Sequence, residues 1–203
     1  VDDAVKVIVI RAEGKGFCAG VDIKELAADS TKIVAVNKGN YDSFRAIHLN
    51  PKPVIVALHG FGDNARNFAS VAEELPLKET LWVCLQAPEA PPFPGDGGQW
   101  YELFGNPHTQ LRQSCEKVKD CLNIIQRTAQ VPWNQIILLG FSQGAFVSLL
   151  TALTLPEQLG GAIALSGYLA QAHRIKLPSP ERVSLPVFLA HGLNDQVVFP
   201  AQH

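Results

Sequence analysis

Six short runs in this chain are almost wholly apolar: Val5–Ile10, Val54–Leu58, Leu81–Leu85, Ile136–Leu139, Ala162–Leu165 and Val187–Ala190. Successive side chains of a strand point to opposite faces, so a strand with one wet face alternates apolar and polar residues. These runs do not alternate. Burial on both faces is the remaining solution, and it is the habit of a parallel sheet covered by helices. The intervening segments supply the helices. Leu111, Cys115, Val118, Leu122, Ile125 and Ala129 recur in steps of three and four, and a second pattern from Gln143 to about Thr154 carries Phe146, Leu149, Leu150 and Leu153. Gln86–Asn106 is rich in proline and glycine and is expected to be an irregular loop. The alternation of strand and helix predicts a doubly wound, mainly parallel α/β sheet.

Composition narrows the class of function. With 17 Lys and Arg against 19 Asp and Glu, in no basic block, the chain offers no surface that tracks phosphates, and nucleic-acid binding is not expected. The longest apolar runs are far too short to span a bilayer. Of four cysteines, Cys115 and Cys121 fall on one helix pattern, about 240° apart around its axis, and Cys18 and Cys84 have no CxxC partner. No disulfide framework is expected, and a reducing, cytoplasmic compartment fits. The sequence has no Met, even at position 1, so it is expected to begin inside a longer chain.

Three motifs carry chemistry, each at the end of an apolar run. Gly140-Phe141-Ser142-Gln143-Gly144 follows Ile136–Leu139 and opens a helix. A serine between a strand and a helix, flanked by glycines that let the turn be tight, is the context of a nucleophile elbow. His59-Gly60-Phe61-Gly62-Asp63 follows Val54–Leu58, where glycines let a backbone N–H approach a substrate carbonyl. His191-Gly192-Leu193-Asn194-Asp195 follows Val187–Ala190 and puts a carboxylate after Ser142 in chain order, as the acid of a Ser–acid–His set requires.

Together with Gln99-Trp100-Tyr101, these motifs resemble the phospholipase/carboxylesterase family of α/β-hydrolases, the group that includes the acyl-protein thioesterases, over about residues 53–200. The resemblance implies an α/β-hydrolase-like domain over 53–203 that hydrolyses a small acyl ester or thioester through an acyl-serine, with no cofactor and no metal. By position, Ser142 is the nucleophile, Asp195 the acid, and the N–H groups of Phe61 and Gln143 the oxyanion hole. Trp100, Tyr101 and Phe104 would line an apolar pocket. The family places its general-base His well beyond that Asp, after a further strand, whereas only 203 − 195 = 8 residues follow Asp195 here. His203 is within reach, since eight extended residues span roughly 26–29 Å, but a chain end is poorly suited to orienting a base. The expectation is a sheet incomplete at its C-terminal end, lacking the last strand, helix and catalytic His, with an exposed edge through which two copies could pair. Such a chain would be weakly active or inactive.

Residues 1–52 read differently. Val5–Ile10 followed by Gly14-Lys15-Gly16-Phe17-Cys18-Ala19-Gly20-Val21-Asp22 resembles the crotonase (enoyl-CoA hydratase/isomerase) family over about residues 1–60. That resemblance implies an acyl-CoA thioester bound at Ala19 and Val21, Val21 supplying an oxyanion donor. The glutamates that activate water in that family are absent. The chain therefore reads as a splice of two family fragments at Val54–Leu58, a strand that suits both, with Val5–Ile10 expected beside it. The alternatives to an esterase are a crotonase-type acyl-CoA protein and a non-catalytic scaffold.

Overall fold

The computed structural model describes residues 7–10 (backbone only), 52–75, 77, 79–103, 108–169 and 185–198. Ala19, Val21, the segment Asp22–Leu26, Phe104 and His203 lie outside the described residues.

The described chain forms six strands: β1 (Val7–Ile10), β2 (Val54–Leu58), β3 (Leu81–Leu85), β4 (Ile136–Phe141), β5 (Gly161–Leu165) and β6 (Val187–Ala190). Two short helices, α1 (Ala65–Phe68) and α2 (Val71–Glu74), follow β2; α3 (His108–Ala129) precedes β4, and α4 (Gln143–Thr154) follows it. The strands make one sheet in the order β1-β3-β2-β4-β5-β6, and every pairing is parallel. The expected α/β class is what is found.

The apolar runs feed two cores. Val54, Val56 and Leu58 of β2, with Leu81, Val83 and Leu85 of β3, point to the face covered by α3 and α4. Ile55 and Ala57, with Trp82 and Cys84, point to the other face, against Ala65 and Phe68 of α1. The period-two division explains why neither strand tolerates a polar residue. The stripe foreseen on α3 is buried in full, from Leu111 through Cys115, Val118, Leu122 and Ile125 to Ala129. Removing a Leu or Ile side chain completely from water, as at Leu122 and Ile125, contributes about 1.5–3 kcal/mol each. α4 packs between α3 and strands β2, β4 and β5, and most of its residues are buried accordingly.

Two expectations need correction. Val5–Ile10 was expected beside β2, but β1 pairs with β3, Val7 opposite Trp82 through Ile10 opposite Leu85. The reason is occupancy: β3 and β4 take both edges of β2. Continuous apolarity also implied burial of all six runs, yet Val187, Phe188 and Leu189 of β6 are exposed by 43%, 60% and 61%. Among the described residues β6 is the end strand of the sheet and pairs only with β5.

Candidate active site

The strand order reverses between β2 and β4: β3 lies on one side of that pair and β5 on the other. In an open parallel sheet, the crevice beyond the strand C-termini at such a point is where ligands bind. Here β2 runs into His59-Gly60 and β4 into Ser142, in a register that sets Leu58 beside Gly140. A methyl group at Gly60 would fall 3.6 Å from Ser142 Cβ, so the two motifs meet.

Ser142 sits at the N-cap of α4 with φ 52° and ψ −116°, a backbone conformation that a side-chain-bearing residue rarely adopts. Packing forces it. A Cβ on Gly140 would lie 2.2 Å from the carbonyl oxygen of Gly144, and one on Gly144 would lie 2.2 Å from that of Leu58. Only glycines let the strand turn into the helix so sharply, with the serine lifted at the apex. The Ser142 N–H donates to Leu165 O at 2.9 Å, which ties the elbow to β5. Among the described residues, neither the Phe61 nor the Gln143 N–H donates to another group, so both are available to an incoming oxyanion.

His59 is a structural residue. It is fully buried, its Nε2 accepts from the Ala87 N–H at 3.0 Å, and its Nδ1–H donates to Gly60 O at 2.7 Å. Both ring nitrogens are thus committed in the neutral tautomer, and burial holds the imidazole below its ordinary titration range. Trp100 and Tyr101 are 2% and 3% exposed and belong to the core, and Trp100 lines a small pocket with Leu85, Gln86, Pro88, Lys117 and Val118. The aromatic groups beside the crevice are others. Phe61 meets Phe93 edge-on at 5.7 Å, and Phe141, 42% exposed, lies over Gly60.

Asp195 follows β6, two strands from Ser142 along the same edge. Its Oδ1 accepts the N–H groups of Val197 (2.9 Å) and Val198 (3.0 Å), and those bonds hold its carboxyl below the usual range. Its Oδ2 lies 3.4 Å from Nε2 of His191, which donates to Val198 O at 2.6 Å. Ser166, not singled out in the sequence, is a second serine with a strained backbone on this edge. It sits between the elbow and the acid loop at the end of β5, in a strained φ of 46°, and its N–H donates to Ala190 O at 2.8 Å. Its signal was positional: a serine directly after an apolar run, in register with Ser142. Among the described residues no hydrogen bond joins Ser142 Oγ to a histidine, and no cluster of His, Cys, Asp and Glu is arranged to hold a metal.

Residues 44–202 match the family model described as phospholipase/carboxylesterase. The chain belongs to that family. Among its curated relatives, acyl-protein thioesterase 1 of Cryptococcus neoformans is 30% identical over 174 residues, covering 77% of this chain and 73% of that protein. The Saccharomyces cerevisiae protein of the same name is 29% identical, covering 72% of each chain. In the crystal structure of esterase PE8 the same fold recurs with a TM-score of 0.64 and 25% identity, covering 77% of this chain and 75% of that one. Arabidopsis thaliana SOBER1, at 22% identity and the same TM-score of 0.64, supports the fold alone; it covers 73% of this chain and 78% of its own. Residues 1–62 match a second model, enoyl-CoA hydratase/isomerase, which overlaps the first across residues 44–62.

Proposed function

We propose that this phospholipase/carboxylesterase-family chain hydrolyses small acyl esters or thioesters through an acyl-Ser142 intermediate. The observation that carries the reading is the elbow: a serine strained at φ 52° beside Gly60, with the unengaged N–H groups of Phe61 and Gln143 on either side. The Ser142 hydroxyl attacks the acyl carbon, the alcohol or thiol leaves, and the two N–H groups stabilise the oxyanion of the tetrahedral intermediate. Water then attacks the acyl-serine and releases the acid. Asp195, kept ionised by Val197 and Val198, is the acid that orients a histidine base.

The base is the slow point. Of the described histidines, His59 is committed to the fold, and neither it, His108 nor His191 is hydrogen-bonded to Ser142. A Ser142 that works without a base turns over esters several orders of magnitude below a complete triad, the oxyanion hole supplying what remains. The test is hydrolysis of a p-nitrophenyl short-chain ester and of an acyl thioester. The expected result is slow turnover that Ser142→Ala abolishes and His203→Ala leaves unchanged. Turnover that survives Ser142→Ala overturns the assignment, and turnover lost in His203→Ala shows that His203 is the base.

The enoyl-CoA hydratase/isomerase match over residues 1–62 favours a second reading, acyl-CoA binding at Ala19 and Val21. Retention of the chain on immobilised CoA, lost on Val21→Pro, tests it; a chain that flows through rejects it.

A further inference from the structure

The two oxyanion donors come from separate motifs, 82 positions apart (143 − 61), and their separation must be set by something other than the local chain. One irregular segment touches both. Gly98 accepts the Gly62 N–H at 2.9 Å and donates its own N–H to Asp63 O at 2.7 Å, gripping the loop just after Phe61. Two residues on, the Trp100 indole N–H donates to His59 O at 2.9 Å, gripping the same loop just before Gly60. The main chain of Trp100 then turns to the other motif. Its N–H donates to Gln143 Oε1 at 2.9 Å, and Gln143 Nε2 donates to Tyr101 O at 2.6 Å. Both hydrogen-bonding ends of the Gln143 amide are thus spent on this segment, in a side chain only 3% exposed. On the opposite side, the Ser114 hydroxyl of α3 donates to Trp100 O, anchoring the segment to the longest helix.

We propose that the Gln143 side-chain amide and the Trp100 indole are positioning groups that fix the two oxyanion donors relative to one another, with the Gly98–Tyr101 segment as the brace between them. The role of Gln143 is then double: its backbone N–H faces the substrate oxygen, and its side chain holds the distance to the other donor. Hydrogen bonds inside a water-free core are costly to leave half-made, so loss of one end should loosen the rest. A preorganised donor pair matters because only donors already in place stabilise a developing charge without reorganisation. The catalytic consequence rests on the hydrolase reading above, but the mechanical one does not.

The experiment compares the native chain with Gln143→Met, which keeps length and backbone N–H but removes both amide bonds, and with Trp100→Phe, which removes only the indole donor. Amide hydrogen exchange is followed by NMR at Gly62, which neither substitution touches directly. Its N–H is expected to exchange at least tenfold faster in both variants, at unchanged far-ultraviolet circular dichroism. The rate of Ser142 phosphonylation by an activated phosphonate ester is expected to fall at least tenfold in parallel. Unchanged Gly62 exchange in the variants overturns the brace; if one variant fails to fold, the other decides. Faster exchange with an unchanged phosphonylation rate overturns the positioning role. A native chain inert to the phosphonate counts against the hydrolase reading instead, and the exchange arm still decides the brace.

Discussion

At the scale of single residues, the elbow was the most legible part of the chain, because steric necessity leaves a spelling. The approach of Gly144 to Leu58 O admits no side chain, so Gly144→Ala should cost about 1–3 kcal/mol of stability in urea unfolding, from overpacking against backbone that cannot yield. A cost below about 0.5 kcal/mol would mean that the elbow relaxes easily. His59 makes a pH-dependent contribution. Its folded-state pKa lies below the ordinary value of 6.5, so its stabilisation is whole above that value and is lost as pH falls through the folded one. As pH falls below about 6.5 the native chain should lose stability that His59→Asn, already destabilised, does not lose. Parallel pH profiles for the two chains would assign the effect elsewhere. The placement of Trp100 and Ser166 was not legible, since a buried aromatic reads as core, and a serine's neighbours depend on strands distant in sequence.

At the scale of elements, apolar runs located all six strands, and a three-and-four spacing located α3 and α4; a continuous apolar run alone does not separate a buried strand from a buried helix, so the shortness and β-branched content of the runs made the distinction. Pairing order was not legible. Nothing in Val7–Ile10 says that β3 rather than β2 is its neighbour; the choice follows from β4 taking the other edge of β2. Nor does a run such as Val187–Ala190 say that it will stand at an edge. Exposed apolar edge strands invite pairing with a second copy, and Phe188 and Leu189 of β6 are exposed among the described residues. Phe188→Lys, at 60% exposure, should lower the concentration-dependent light scattering without changing circular dichroism. Identical scattering from both chains would exonerate β6.

At the scale of the whole molecule, the parallel sheet switches between β2 and β4, where the Gly60 and Ser142 motifs meet, with the Asp195 motif two strands along the same edge; the chain belongs to the phospholipase/carboxylesterase family. Burial raises the Cys84 thiol to about 12 and the Cys115 thiol to about 11, so both remain unreactive thiols near neutral pH and compete poorly with Ser142 for an electrophile. No described helix is long and apolar enough to cross a membrane. We propose Ser142 as a nucleophile supported by an oxyanion hole even where no described histidine touches it. The most direct test is mass spectrometry after incubation with a fluorophosphonate. The expected result is slow addition of one phosphonyl group per chain, on the peptide that carries Ser142, and none on Ser142→Ala. A chain that takes no phosphonyl group, or takes it on Ser166 or any other serine, contradicts the claim.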